Sequence, residues 1–205
     1  MLIKTLVVGM MQNNCYIVTD EDTMKCAIID PGAESGTILD YIESNKLKPE
    51  AVFITHGHFD HSMALEAIVE AINIPVYINK LEVKRSGERE RHLIDEYKNM
   101  KYCKDGDTIF IGNLEFKIID TPGHSPGSIT IMCNDALFTG DTLFHGDCGR
   151  TDLEGGSRET ILRSLKLLAG LEGDFEVYPG HEESTTLNSE RNNNLDMRIA
   201  TGDIT

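Results

Sequence analysis

Residues 56–61 read His-Gly-His-Phe-Asp-His, so three of the seven histidines and one acid fall within six positions. Imidazole and carboxylate groups bind borderline divalent metals such as zinc, and a glycine between two ligands lets the backbone fold tightly around an ion. Histidines that only capped a following helix would need a single acceptor. The segment instead offers four potential ligands: His56, His58, Asp60 and His61. It therefore predicts a metal site, which the rest of the fold has to complete.

Three ligand-type residues elsewhere in the chain share the position of this cluster, just after an apolar run of strand length. They are His124, Asp141 and His181. The four apolar runs are residues 51–55, 116–121, 137–140 and 175–178. In open α/β layers the side chains beyond the strand ends gather at a common edge, where ligands bind. We therefore expect all seven side chains to form one site, and seven ligands suffice for two ions.

Apolar runs of strand length are interspersed with segments of helical pattern along the whole chain. The helical segments are residues 34–45, 62–72, 80–99 and 158–169, and Ser157 is a suitable N-cap for the last of them. Blocks of strands with helices between them favour a layered α/β or α+β domain over a barrel or a bundle. A length of 205 residues with 40% apolar content allows one sizeable core, and no linker marks a boundary, so we expect a single domain over residues 1–205.

The charge balance argues against a nucleic-acid partner. Acids outnumber bases 34 to 19, which gives a net charge of -15, whereas a phosphate backbone selects clustered Lys and Arg. The most basic run, residues 84–91, is interleaved with glutamates and is typical of a solvated helix face. No apolar stretch reaches the roughly 20 residues that a bilayer requires, so we expect no membrane association.

The cysteine pattern and the N-terminus indicate the cytoplasm. Five cysteines form an odd set without a CxxC pair, which favours reduced, structural thiols. The first nine residues lack a basic region and a cleavage site, and we expect a first strand there instead of an export signal. The oligomeric state stays open.

The pattern His-x-His-x-Asp-His at 56–61, followed by Gly-His, Gly-Asp and Gly-His at the later positions, resembles the metallo-β-lactamase superfamily over nearly the whole chain. The resemblance implies an α/β fold that is a four-layer αβ/βα sandwich, with two mixed β-sheets face to face and helices outside. It also implies two ligand sets and a bridging residue. The sets are His56, His58 and His124 for one ion, Asp60, His61 and His181 for the second, and Asp141 for both.

Residues 149–156, Gly-Arg-Thr-Asp-Leu-Glu-Gly-Gly, are similar to a stretch of the glyoxalase II-like hydrolases, which cleave thioesters such as S-lactoylglutathione. This similarity implies a small thioester or ester substrate. Residues 62–64 read Ser-Met-Ala, whereas many members of the superfamily have a Gly-containing turn at this point. The sequence also stops at residue 205, short of the helical domain that carries much of the glutathione site in longer enzymes, so the thiol carrier stays open.

Two divalent ions, expected to be zinc with iron or manganese as alternatives, would make a bridging hydroxide available near neutral pH. Asp60 and Asp141 would orient this nucleophile, and a thiolate leaving group would depart without a general acid. Arg150 and His145 are candidate substrate contacts. The competing interpretations are that Arg150 pairs with Asp152 and that His145 is a solvent-facing loop residue.

Other functions compete with thioester hydrolysis on the same scaffold. A persulfide dioxygenase would use a single ferrous iron with fewer ligands, and hydrolysis of another ester or a lactone would use both ions. A β-lactamase is disfavoured because Asp141 stands where several secreted lactamases have a cysteine ligand. A metal-stabilised scaffold without activity would have little reason to keep two complete ligand sets.

Overall fold

Two six-stranded β-sheets form the centre of the computed structural model, which describes residues 1–83, 94–97 and 99–204. The first sheet has the order β1-β2-β3-β4-β5-β6, with strands Leu2–Val8, Asn13–Asp20, Lys25–Ile29, Lys48–Phe53, Val76–Asn79 and Met100–Cys103. The second sheet contains β7 to β12 in the order β12-β11-β10-β9-β8-β7, with strands Thr108–Ile111, Leu114–Asp120, Ile129–Cys133, Ala136–Gly140, Glu176–Pro179 and Thr185–Thr186 in chain order. Both sheets are mixed, since β3 to β6 are parallel in the first and β10 pairs in parallel with β11 in the second.

Helices cover the outer faces of both sheets. In chain order, α1 to α6 are Ser35–Ser44, Phe59–Ser62, Leu65–Ile72, Arg158–Ala169, Leu187–Asn193 and Leu195–Thr201. Buried residues of α1 and α3 pack on the first sheet, and those of α4 and α6 pack on the second. The predicted four-layer sandwich is therefore confirmed. Within the described residues, none of the helices combines the length and the apolar character needed to cross a bilayer.

Strand β2 shows why the sheets need cover on both sides. All eight of its residues are buried. Cys15 and Ile17 belong to the outer core under α1 and α3, whereas Tyr16 and Val18 belong to the core between the sheets. Successive side chains of a strand point to opposite faces, so a strand buried on both faces has a nearly continuous apolar sequence.

One helix expected from the sequence is interrupted in the structure. The segment 62–72 was expected to be one helix, but α2 ends at Ser62 and α3 begins at Leu65. The backbone N–H of Ala64 donates instead to the carbonyl of Pro31, 3.0 Å away, and this tertiary contact interrupts the helix.

Helix α4 begins where the sequence predicts, because Ser157 Oγ accepts a hydrogen bond from the N–H of Thr160.

The expected helix over 80–99 is also wrong in its described parts. Lys80–Glu82 form one turn of 3₁₀-helix, Val83 makes a β-bridge with Ile94, and β6 begins at Met100. The side chain of Asn79 accepts the N–H of Leu81 and stabilises the short turn. The basic run at 84–91 lies outside the described residues.

The rings of Phe53 and Phe116 stack across the two sheets, 5.2 Å apart, and both side chains are fully buried. We predict that Phe53→Ala lowers the free energy of unfolding by about 3–5 kcal/mol, since it leaves a cavity in the core. Denaturant unfolding measures the change. Phe110→Ala is the matched control, because Phe110 is 66% exposed and its loss should cost much less. Equal losses in the two variants would contradict the assigned position of the core.

Candidate metal centre

The structure brings all seven sequence-predicted ligands together at one end of the sandwich. They occupy the segments that follow β4, β8, β10 and β11: His56, His58, Asp60 and His61 after β4, then His124, Asp141 and His181 after the other three. Two backbone hydrogen bonds align these segments. The N–H of Ile129 donates to the Thr55 carbonyl across the sheets, and the N–H of Gly180 donates to the Gly140 carbonyl within the second sheet.

A first trio consists of His56, His58 and His124, whose ring nitrogens converge. Nδ1 of His58 lies 3.0 Å from Nε2 of His56 and 2.8 Å from Nε2 of His124. Burial, followed by the neighbouring imidazoles, lowers the pKa of His58 to about 4 and also lowers the pKa of His56. These two rings are therefore neutral near pH 7, and their lone pairs are free to bind a cation.

A second trio consists of Asp60, His61 and His181. Oδ2 of Asp60 lies 3.2 Å from Nε2 of His181 and 3.9 Å from Nε2 of His61. Burial opposes the charged form of each group, but the attraction between opposite charges is larger. It lowers the pKa of Asp60 and raises the pKa of both histidines. The carboxylate is therefore an anionic donor beside two imidazoles.

Asp141 lies between the two trios. Its Oδ1 is 3.3 Å from Nε2 of His61 and its Oδ2 is 3.4 Å from Nε2 of His124. Although burial alone would raise the pKa of Asp141, His61 and the other imidazoles hold it below its ordinary value. One ionised carboxylate thus faces both sets of donors.

Some donor atoms of the site lack a partner. Nε2 of His58, Nε2 of His61 and Oδ1 of Asp141 are buried and make no hydrogen bond within the described part of the chain. A buried polar atom without a partner costs roughly 1–3 kcal/mol. His61 Nε2 and Asp141 Oδ1 face each other, so a cation between them would satisfy both. Nitrogen and carboxylate donors of this kind suit zinc, iron or manganese.

Asp30 orients ligands from outside the two trios. Its Oδ2 accepts Nδ1–H of His61 at 2.9 Å and the hydroxyl of Thr55 at 2.6 Å, and its Oδ1 accepts the N–H of Thr55 at 2.8 Å. The Thr55 hydroxyl oxygen in turn lies 3.1 Å from Nδ1 of His56. Such partners fix the tautomer and the ring orientation of a metal-binding histidine. Asp30 was not identified from the sequence, although it too follows an apolar strand.

Backbone carbonyls hold two further imidazoles, those of His124 and His181. Nδ1–H of His124 donates to the Arg150 carbonyl at 2.8 Å, and Nδ1–H of His181 donates to the Met11 carbonyl at 3.1 Å. In both rings Nε2 then faces the site. Every residue carries a carbonyl, so these contacts have no sequence signal.

A cavity of about 870 Å³ opens over the ligands. Its described lining includes apolar and acidic side chains around the site: Met11, Phe59, Phe144 and Leu153, with Asp147, Glu154 and Glu182. Arg150 also lines the cavity. Its guanidinium makes two 2.7 Å hydrogen bonds to Asp152, as expected if Arg150 pairs with Asp152 and does not bind substrate. His145 pairs with Glu183 at 2.8 Å and is not part of the described lining. Substrate contact by Arg150 or His145 stays a prediction.

Cys148 lines the same cavity as an inert thiol. Its Sγ donates to Oδ2 of Asp196 at 3.0 Å, and burial, reinforced by this carboxylate, raises the pKa of Cys148 to about 12. The thiolate is the nucleophilic form of cysteine, so this side chain is not equipped to attack a substrate near neutral pH.

The chain is similar in sequence to known proteins. The family model of the metallo-beta-lactamase superfamily matches residues 8–181. The probable metallo-hydrolase YqgX of Bacillus subtilis is 36% identical over 203 residues, which span 93% of this chain and 95% of the relative.

Solved structures resemble the chain over nearly its whole length. The BLEG-1 B3 metallo-beta-lactamase is 32% identical with a TM-score of 0.82, covering 96% of this chain and 99% of that one. TTHA1623 in a di-iron-bound form is 31% identical with a TM-score of 0.80, covering 94% and 98%. ETHE1 from Myxococcus xanthus is 29% identical with a TM-score of 0.83, covering 98% and 85%.

Gly180 has no room for a side chain at the metal centre. A Cβ there would lie 2.3 Å from Oδ1 of Asp141 and 2.6 Å from Cε1 of His61. We predict that Gly180→Ala weakens metal binding by about 10-fold or more, because displaced ligands lose their orientation. Metal content after dialysis against a weak chelator measures the loss. Gly36→Ala, in α1 with nothing within 4 Å of its Cβ, is the control and should retain the metal. Full metal retention in Gly180→Ala would contradict the close packing of these ligands.

Proposed function

Because this chain belongs to the metallo-beta-lactamase superfamily, we propose that it is a dinuclear metal-dependent hydrolase that cleaves thioesters of the S-lactoylglutathione type. The observation that carries the proposal is the position of Asp141, whose two oxygens lie 3.3 and 3.4 Å from imidazoles of different trios. A carboxylate in this position can bind one ion with each oxygen. A single-ion site would need one of the trios only.

In this proposal each trio would hold one ion and Asp141 would be a ligand of both. The ligands are His56, His58 and His124 for the first ion, and Asp60, His61 and His181 for the second. Zinc is the expected metal, and the di-iron form of the similar TTHA1623 makes iron the leading alternative. When bound, the ions supply Lewis acidity that polarises an acyl carbonyl and lowers the pKa of water to near neutrality.

Asp60 and Asp141 are the proposed catalytic carboxylates. Both line the cavity, and both have a lowered pKa, so they accept hydrogen bonds near neutral pH. Two acceptors on the floor of the cavity can hold a water molecule by its hydrogens and aim its lone pair at the acyl carbon. Asp30 and the carbonyls of Met11 and Arg150 keep the imidazoles in place during the reaction.

The cavity favours a substrate whose leaving group needs no proton. Its described lining contains no Lys and no Tyr, and its histidines all belong to the two trios. Cys148, with a pKa of about 12, is bound to Asp196. A thiol has a pKa of about 8.5, so it can depart as a thiolate without a general acid. The apolar side chains of Met11, Phe59 and Phe144 suit the acyl or thiol part of such a molecule.

The proposed substrate is a small molecule, and the proposed compartment is the cytoplasm. A net charge of -15 disfavours nucleic acid as a partner. All five cysteines are free and buried, which fits a reducing compartment.

A persulfide dioxygenase with one iron is the second candidate, and the similarity to ETHE1 from Myxococcus xanthus supports it. The resemblance to BLEG-1, described as a B3 metallo-beta-lactamase, adds β-lactams to the esters and lactones that a hydrolase of this kind could cleave. The second trio favours the dinuclear hydrolase over the single-iron enzyme.

One experiment separates these functions. Metal quantification on the purified chain is combined with a hydrolysis panel of S-lactoylglutathione, simple acyl thioesters, oxygen esters, lactones and a chromogenic β-lactam. We expect two metal ions per chain and the highest kcat/KM on a thioester. One iron per chain, with oxygen uptake on glutathione persulfide and no hydrolysis, would overturn the proposal.

The bridging role of Asp141 gives a further prediction. Asp141→Ala should remove one or both ions and lower kcat by about 100-fold or more, as should His56→Ala, because each removes a ligand that the chemistry requires. Asp22→Ala changes an exposed carboxylate in the turn after β2 and is the control. Near-normal turnover of either ligand variant, with Asp22→Ala also normal, would refute the ligand assignment.

A further inference from the structure

Glu82 is a fully buried carboxylate next to the metal centre. It ends the 3₁₀ turn Lys80–Glu82 that follows β5, and the side chain of Asn79 caps this turn. Its own carbonyl accepts the N–H of Ile94 at 3.0 Å. The backbone of Glu82 is therefore held by hydrogen bonds on both sides.

The Glu82 carboxylate joins the two loops that carry the first trio. Its Oε2 accepts the N–H of Gly57 at 2.7 Å, and Gly57 stands between His56 and His58. Its Oε1 accepts the N–H of Gly127 at 2.6 Å and the hydroxyl of Ser125 at 2.8 Å, and Ser125 follows His124. All three hydrogen bonds are short, between 2.6 and 2.8 Å.

The Glu82 carboxylate is closely packed between the two loops. A Cβ at Gly127 would lie 2.8 Å from Oε1 of Glu82. The Ser125 hydroxyl also lies 2.7 Å from the Ser128 hydroxyl, so the loop after His124 is held internally as well. A change in the position of the carboxylate would therefore change the separation of the two loops.

We propose that Glu82 is a positioning residue that sets the distance between His124 and the His56–His58 loop, and thereby the affinity of the first trio for its ion. The inference rests on the proposed two-metal site but not on its substrate. The second trio has a different support, since Asp30 holds His61 and the Met11 carbonyl holds His181. Loss of Glu82 should therefore weaken one ion selectively.

Glu82→Gln tests this with a nearly isosteric change. The amide nitrogen of Gln cannot accept a hydrogen bond, so at least one buried donor of Gly57, Ser125 or Gly127 loses its acceptor. The zinc-loaded chain is titrated with a chromophoric chelator, which resolves the dissociation constants of the two ions. We expect one constant to rise by about 10- to 100-fold while the other stays unchanged. His181→Ala identifies the constant that belongs to the second trio.

Glu190→Gln is a matched control. Glu190 is 1% exposed and also accepts three hydrogen bonds, from the N–H of Gly146 and the side chains of Thr185 and Asn194 at 2.7–2.8 Å. These donors belong to neither loop of the first trio. Glu190→Gln should thus lower the stability of the chain to a similar degree and leave the zinc affinities at their wild-type values.

The outcomes are distinct. Wild-type zinc affinities in Glu82→Gln, or a loss shared equally by both ions, would overturn the proposal. If Glu82→Gln does not fold, Ser125→Ala removes one of the three bonds and should weaken the same ion by roughly 2- to 10-fold, and an unchanged affinity overturns the proposal. A wild-type chain that binds one ion would refute the two-metal function, yet the variants would still test Glu82 on that ion.

Discussion

The ring nitrogens of the first trio lie so close together that the surrounding protein has to hold them there. Nδ1 of His58 is within 3.0 Å of two other ring nitrogens, and the lowered pKa values of His58 and His56 mean that these two rings are neutral near pH 7. A neutral imidazole carries one N–H, so Nδ1 of His58 can donate a well-formed hydrogen bond to only one of these two nitrogens, and the other close pair gains no such attraction. The arrangement therefore depends on the contacts of Nδ1 of His56 and of His124 and on those of the loop backbone, and these contacts explain much of the surrounding structure.

The sandwich supplies these contacts by joining the two sheets near the site. The stack of Phe53 on Phe116 packs the end of β4 against β8 of the other sheet. On the other side, the hydroxyl of Tyr16 in β2 donates to the Pro179 carbonyl, and the N–H of Asn14 donates to the Gly180 carbonyl. The loop before His181 is therefore fixed to the first sheet although it belongs to the second.

Local patterns predicted a layered α/β or α+β domain and a common site for the seven candidate ligands, because these ligands follow four apolar strands and α4 carries its own cap at Ser157. The errors arose where a distant residue decides the local structure. The helix over 62–72 is interrupted because Ala64 donates to Pro31. Glu82 lies in the charged stretch 80–99, which was expected to be a helix, and its proposed role depends on Gly57, 25 residues earlier in the chain. A window of about 11–18 residues, over which helix and strand patterns are recognised, does not contain both residues.

The distribution of unpartnered atoms bears on the number of ions. His61 Nε2 and Asp141 Oδ1 are both on the side of the second trio, where Asp30 already fixes the other nitrogen of His61. A single ion bound only by the first trio would leave these two buried atoms facing each other at 3.3 Å, without a well-formed hydrogen bond. An ion bound by Asp60, His61 and His181 would give both atoms a ligand bond, and Asp141 could then serve both ions. The arrangement of these two atoms therefore favours the two-metal hydrolase over the single-iron alternative.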